Sequence, residues 1–220
     1  MFDKKKLKLY AITDRNYIFN NNYTIESAVE YAILGGATIV QIREKKLNNN
    51  EFLKEVLSVK KITSKYNVHL IVNDNVEVAI KSDADGIHLG QEDLIGKDIK
   101  ILRKEFGENK IIGISADTLE EAIIAEKNGA DYIGTTSPFT NSKISNHTKP
   151  DAKINSFEEI EKILNNVKIP CVMIGGIKKQ TIPLFKDLKV SGFAMISAIF
   201  DNKDIKKETN EILQIINNII

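Results

Sequence analysis

Arg43 and Lys45 stand two residues apart in Gln41-Ile42-Arg43-Glu44-Lys45, at the end of a short apolar run. Alternate residues of an extended chain share a face, so Gln41, Arg43 and Lys45 would point the same way. Two cations so placed suit a di- or polyphosphate, the arginine as a two-pronged donor and the lysine as a point charge. A solvated strand end is the plainer alternative. Two carboxylates follow similar runs, Asp74 in Asn73-Asp74 and Asp93 in Gly90-Gln91-Glu92-Asp93. Opposite a cationic strand end they suit a Mg2+ ion that shares phosphate oxygens. Read alone, each equally suits a helix N-cap.

Three further strand ends carry polar or flexible residues. Ser115 either caps the next helix or donates to a ligand. Gly175-Gly176 lets backbone N–H groups approach an anion, and Ile196-Ser197 follows at the next run. Short helix N-termini after both would make a phosphate site of the kind barrels commonly carry. Glycines there also serve simply as turn residues. A long polar loop contains Thr148-Lys149-Pro150-Asp151, either a lid that supplies another cation or a linker. The histidines, His69, His88 and His147, are dispersed and form neither a metal triad nor a nucleophile–base pair. His88 reads as a satisfied structural residue and Cys171 as buried packing.

The elements that must position these residues are legible as short apolar runs: Leu7 to Thr13, Thr38 to Ile42, His69 to Val72 and Gly86 to Leu89, then Ile111 to Ser115, Tyr132 to Gly134, Cys171 to Ile174 and Phe193 to Ile196. Such continuous runs suit parallel strands covered on both faces. Amphipathic segments separate them, with Phe52, Leu53, Val56, Leu57, Val59 and Ile62 in one, and Leu119, Ala122, Ile123 and Ala125 in another. Thr24, Asn50 and Thr118 suit three N-caps. Gly36-Ala37-Thr38, Ala84-Asp85-Gly86 and Ala130-Asp131-Tyr132 echo one another at near-equal spacing, each joining a helix to a strand. The pattern predicts α/β class and a single (β/α)8 TIM barrel over residues 1–220. An open doubly wound sheet is the runner-up, but Ile12-Thr13-Asp14-Arg15 lacks its glycine-rich turn.

Composition agrees. The 220 residues are 42% apolar and 28% charged, with a net charge of +1, which excludes a disordered chain and gives no hint of nucleic acid. One cysteine excludes an internal disulfide and fits a reducing compartment. With no signal peptide and no membrane-spanning run, the cytoplasm is the expected location.

Gln41 to Lys45, Asn73-Asp74, the run Ala84-Asp-Gly-Ile-His-Leu-Gly-Gln-Glu-Asp93, Ala130 to Gly134, Ile174 to Ile177 and Ile196 to Ala198 together resemble thiamine-phosphate synthase, from about Leu7 to Ile199. The resemblance implies a transferase of thiamine biosynthesis. It would join 4-amino-2-methyl-5-(diphosphooxymethyl)pyrimidine to 4-methyl-5-(2-phosphoethyl)thiazole, or its carboxylated form, and release pyrophosphate by a dissociative, Mg2+-assisted substitution. By the same resemblance Gln41, Ile42, Arg43, Glu44, Lys45, Asn73, Ser115 and Lys149 would bind the pyrimidine diphosphate, and Asn146 and Thr148 would also contact substrate. Gly176, Ile196 and Ser197 would bind the thiazole phosphate, and Asp74 and Asp93 the Mg2+. Arg43, Lys45, Ser115 and Lys149 would be the catalytic group, and a homodimer stays open.

One loop departs from the family, whose Phe-Pro-Thr-x-Thr-Lys is stretched here over Ser137 to Ala152. One register uses Thr140, Ser142 and Lys143, the other Asn146, Thr148 and Lys149. The second is preferred because Thr148 to Ala152 matches beyond the lysine. Two other classes compete with the synthase: a thiazole tautomerase on the same scaffold and a non-catalytic thiamine-phosphate binder. Arg43, Lys45, Asp74 and Asp93 favour the synthase, since a tautomerase has no diphosphate to release.

Overall fold

Strand-forming runs that are apolar at consecutive positions bury both of their faces, and closing them into a ring satisfies every strand edge. The computed structural model, which describes residues 3–95, 98–140 and 154–220, shows this closure. Strands β1 (Leu9–Ile12), β2 (Ile39–Ile42), β3 (His69–Asn73), β4 (Gly86–Leu89), β5 (Ile111–Ser115), β6 (Tyr132–Thr136), β7 (Cys171–Ile174) and β8 (Gly192–Met195) form a closed barrel. Every neighbouring pair is parallel, including β8 with β1. The helices outside it are α1 (Arg15–Asn20), α2 (Ile25–Leu34), α3 (Asn49–Lys65), α4 (Val76–Lys81), α5 (Ile99–Phe106), α6 (Leu119–Lys127), α7 (Phe157–Asn166), α8 (Ser197–Phe200) and α9 (Ile205–Asn217).

The expected runs and the strands agree closely, with three differences. Leu7 falls in a 3₁₀ turn (Lys4–Leu7) capped by Asp3, so β1 starts two residues later. Asn48, not Asn50, caps α3, because its side chain and that of Glu51 exchange bonds with each other's backbone N–H groups. Such a box is worth about 1 kcal/mol, and Thr24 and Thr118 cap α2 and α6 in the same way. Between β7 and β8 the described element is a 3₁₀ turn (Ile182–Phe185), and Pro183 within it removes a backbone donor.

Alternation divides the strand residues into two cores. Leu9, Ala11, Val40, Ile42, Leu70, Val72, Ile112 and Ile114 face outward against Val29, Phe52, Val56 and Val59 of the helices. Leu57, expected on that stripe, is 41% exposed; the buried line runs Phe52, Val56, Val59, Thr63. Tyr10, Ile12, Ile39, Ile71, Ile111, Tyr132, Val172 and Ala194 fill the barrel itself. Each fully buried Leu or Ile contributes roughly 1.5–3 kcal/mol, so the barrel is a packed floor and not a pore.

The ladder continues past the strands. Thr13 N–H donates to Gln41 C=O, Asp74 N–H to His88 C=O and Ala116 N–H to Gly134 C=O. Residues just beyond the C-terminal strand ends are therefore held almost as firmly as the sheet. No described helix is long and apolar enough to cross a membrane.

Candidate active site

At the C-terminal end of the barrel a hollow with about 550 Å³ of space open to solvent is lined by Gln41, Arg43, Asn73, His88, Ser115, Ile174 and Ile196, with Tyr10 and Ile12 in its floor. The alternation expected for β2 holds for Gln41 and Arg43, which line the hollow; Lys45 lies in a bend beyond the strand and meets Asp74 just past the end of β3. Ile42 is fully buried on the opposite face, in the helix-side core. Glu44 also turns away from the hollow, to the Arg15 guanidinium at 2.5 Å. Burial alone would raise the Glu44 carboxyl, but the Lys46 and Lys45 N–H groups and Arg15 hold it below its ordinary value. Its bonds to those N–H groups fold the chain sharply after Arg43. Of the residues expected to touch ligand, Ile42 and Glu44 can do so only through their backbone.

Each cation meets a carboxylate. Lys45 Nζ lies 2.5 Å from Asp74 Oδ2, and an Arg43 nitrogen lies 3.7 Å from Asp14 Oδ2. Asp14 was not anticipated. It caps α1 by accepting from the Asn16 and Tyr17 N–H groups, while Thr13 Oγ1 accepts from Arg43 N–H. A carboxylate in Ile12-Thr13-Asp14-Arg15, directly after the first run, was the available signal.

Asp74 is not the helix cap; Asn75 is. Asp74 has φ +61, a left-handed backbone unusual for a non-glycine residue and of the kind that collects at functional sites. Asn73 Nδ2 donates to its other oxygen at 2.6 Å. Asp93 does not cap an α-helix either. It lies in a 3₁₀ turn (Glu92–Leu94), where Oδ2 accepts from Gly90 N–H, and Asp98 caps α5. Gln91 Nε2 donates to the Ser115 carbonyl, tying this turn to the end of β5.

On the other side Gly175 and Gly176 have φ +92 and +63. A Cβ on Gly176 would overlap the Phe139 carbonyl oxygen, and one on Gly175 would overlap Thr140 Oγ1. Close packing of residues 137–140 thus requires these glycines whatever ligand they meet. Ser137 Oγ donates to the Gly175 carbonyl, and Thr140 is 6% exposed. Ser197 opens α8, a helix of only four residues, and no helix N-terminus directly follows β7. The pair of helix ends expected for an anion reduces to that one short end plus the glycine backbone. Asn146, Thr148, Lys149, Ser142 and Lys143 lie outside the described residues.

The barrel floor joins Gln41, His88 and Ser115 through two polar groups that the sequence did not single out, Tyr10 and Tyr132. Gln41 Nε2 donates to Tyr10 Oη at 2.8 Å, Tyr10 Oη and Tyr132 Oη are 2.8 Å apart, and Tyr132 Oη is 3.0 Å from His88 Nδ1. His88 Nε2 is 3.1 Å from Ser115 Oγ. Burial pushes both phenols above their ordinary range, so they stay protonated. Their signal was positional: Tyr10 and Tyr132 fall at inward positions of their strands. A Cβ on Gly113 would enter the Tyr132 ring, and one on Gly134 would come within 3.3 Å of His88. Cys171 is buried against Thr135, and burial pushes its thiol up to about 12, as befits packing.

A further hollow of about 510 Å³ lies outside the barrel between α5 and α6, lined by Leu94, Ile99, Ile124 and Ala125, and holds none of the expected ligand residues.

The thiamine monophosphate synthase family model matches residues 9–199. Thiamine-phosphate synthases of Clostridium botulinum and Clostridioides difficile are 44% and 45% identical, the first over 96% of this chain and 95% of its own, the second over 94% of both. A solved thiamine phosphate pyrophosphorylase from Pyrococcus furiosus superposes with a TM-score of 0.86 at 37% identity, covering 99% of this chain and 98% of the other. The chain belongs to the thiamine monophosphate synthase family and is a transferase of thiamine biosynthesis.

Proposed function

We propose that this hollow couples 4-amino-2-methyl-5-(diphosphooxymethyl)pyrimidine with 4-methyl-5-(2-phosphoethyl)thiazole, or its carboxylated form, to give thiamine phosphate and pyrophosphate in the cytoplasm. The observation that carries the reading is the cluster of Arg43, Lys45, Asn73 and Asp74 on one rim of a mouth that also presents Ser115. Cleavage of the methylene C–O bond sends its electron pair to the departing diphosphate and leaves a cation shared with the aminopyrimidine ring. The thiazole nitrogen then donates its lone pair to that carbon. No enzyme nucleophile is required, and Arg43, Lys45, the Asn73 amide and the Ser115 hydroxyl supply the positive charge and hydrogen bonds that ionisation needs.

Arg43 and Lys45 gather negative charge as it develops, with Lys149 from the loop as a third cation. Asn73 and Ser115 hold the diphosphate ester by hydrogen bonds. The backbone at Gly176 and Ile196, with Ser197, holds the thiazole phosphate and aims its ring nitrogen, so that much of the barrier is met by positioning.

Asp74 and Asp93 would hold Mg2+. Asp74 fits the part: it is a hard oxygen ligand that already draws an ammonium to 2.5 Å, so its position favours a cation, although among the described residues no group of three or more His, Cys, Asp or Glu side chains gathers to hold a metal. Lys45 must swing from Asp74 toward the diphosphate for both to act. Bound there, Mg2+ supplies charge compensation for the leaving diphosphate. The test is incubation of the protein with both substrates and Mg2+. Thiamine phosphate and pyrophosphate in equal amounts support the reading. Thiazole tautomerisation, or product binding without turnover, would replace it.

A further inference from the structure

Arg15 stands beside the charged rim, but its nitrogens are engaged away from the mouth. Nε donates to Glu44 Oε2, and a terminal nitrogen donates to Glu55 Oε2 on α3, each at 2.5 Å. The Glu44 side chain is 4% exposed and that of Glu55 14%, so water screens neither contact well. The guanidinium carbon lies 5.1 Å from the centre of the Phe19 ring, which steadies it on a further side. Glu44 uses its two oxygens differently. Oε2 faces Arg15, and Oε1 accepts from the Lys45 and Lys46 N–H groups at 2.7 Å each. Burial works against the Glu44 charge, and those N–H groups together with Arg15 keep it ionised. The bend made in this way takes Lys45 off the line of β2 and brings its ammonium to Asp74.

We infer that Arg15 is a positioning residue: it fixes the Glu44 carboxylate, Glu44 fixes the bend at residues 44–46, and the bend sets Lys45 beside Asp74. Arg15 itself need touch no ligand. It joins the start of α1, the end of β2 and the first turns of α3 at one point. A planar fork can meet two carboxylates at once, whereas a lysine offers only a point charge. That Lys45 then serves the diphosphate rests on the coupling reaction proposed above; the hold of Arg15 on the bend does not.

Two measurements on the full chain test this: amide hydrogen exchange at Lys45 and Lys46 without ligand, and calorimetric titration with inorganic pyrophosphate in Mg2+. In Arg15→Met both amides should exchange about tenfold faster while those of β2 keep their wild-type rates, and pyrophosphate should bind about tenfold more weakly. Glu55→Gln weakens the other arm, which touches neither amide. It should lower Tm and leave both measurements within roughly twofold of wild type. Arg15→Lys keeps the charge without the fork and should give changes of the same sign, about threefold, which keeps the test available if Arg15→Met does not fold. A merely structural Arg15 would lower Tm in its variants and leave exchange and affinity alone. That result in a folded Arg15 variant overturns the inference, as does a Glu55→Gln variant whose amides loosen as much as those of Arg15→Met. Lys45→Ala in the same titration separates the two readings. If it weakens pyrophosphate and Arg15→Met does not, the inference fails; if it has no effect, the diphosphate role of Lys45 fails, and exchange alone decides on Arg15.

Discussion

The β2–β3 rim and the β7–β8 rim stand across one mouth but are built from different material. The first is made of charged side chains in pairs, Arg43 with Asp14 and Lys45 with Asp74. The second is made of backbone, with Gly175 and Gly176 pressed against residues 137–140 and Ser197 opening a one-turn helix. A side-chain site can be weakened by removing atoms. A backbone site can be disturbed only by adding them, and the added atoms strike the neighbouring segment first. The two rims therefore call for different probes, and the effects should differ in kind as well as in size.

The largest effect should come from the carboxylate of the charged rim. Asp74→Asn keeps a residue that tolerates the left-handed backbone and removes the negative charge. Turnover in saturating Mg2+ should fall by roughly 10²–10³-fold with Tm nearly unchanged, of the order seen when one electrostatic stabiliser is lost. Full activity of this variant, or of the wild type in EDTA, would remove the metal from the account.

Next is the loop cation. Lys149→Ala should lower kcat by about tenfold or more, roughly 1.4 kcal/mol of barrier, with little change in KM, because it meets charge that grows as the diphosphate leaves. Lys143→Ala should stay close to wild type. A crippled Lys143 variant would reverse the loop register and with it the roles of Asn146 and Thr148.

The backbone rim is tested by Gly176→Ala. Its methyl would overlap the Phe139 carbonyl, and its φ of +63 disfavours any side chain. A stability loss of about 1–3 kcal/mol should accompany the rise in KM for the thiazole phosphate. A selective ligand effect at unchanged Tm would show that residues 137–140 yield more easily than their packing indicates.

The smallest effect concerns Cys171. Its thiol is raised from 9.0 to about 12 by burial, so the folded state holds a proton that the unfolded chain releases earlier. The contribution is complete below about pH 9 and is lost as pH rises toward 12. Tm should be level through neutral pH and decline across that window, less steeply in Cys171→Ala, and alkylation at pH 8 should be slow.

Much of the fold was legible because both cores use the same apolar residues. Runs such as Val40 and Leu70 flanked by further aliphatics fit only strands covered on both sides, and their number implied closure. The charged rim was legible for a related reason: Arg43, Lys45 and Asp74 follow such runs closely, and strand ends are where a barrel works, whereas Asp93 lies further on, in a separate 3₁₀ turn. What escaped depends on partners distant in sequence. Asp14 takes its meaning from Arg43 across the β1–β2 edge, and Tyr10 from Tyr132 across the barrel. Neither pairing leaves a local mark. Gly176 is ambiguous in a different way, since a glycine required by a neighbouring carbonyl looks the same in sequence as one required by a phosphate.

The two-rim claim is tested most directly by calorimetry on wild type and Arg43→Ala, each titrated with inorganic pyrophosphate in Mg2+ and, separately, with the thiazole phosphate. The account predicts that Arg43→Ala weakens pyrophosphate at least tenfold, about 1.4 kcal/mol, and leaves the thiazole phosphate within roughly twofold. Equal losses for both ligands, or a loss confined to the thiazole phosphate, would contradict it.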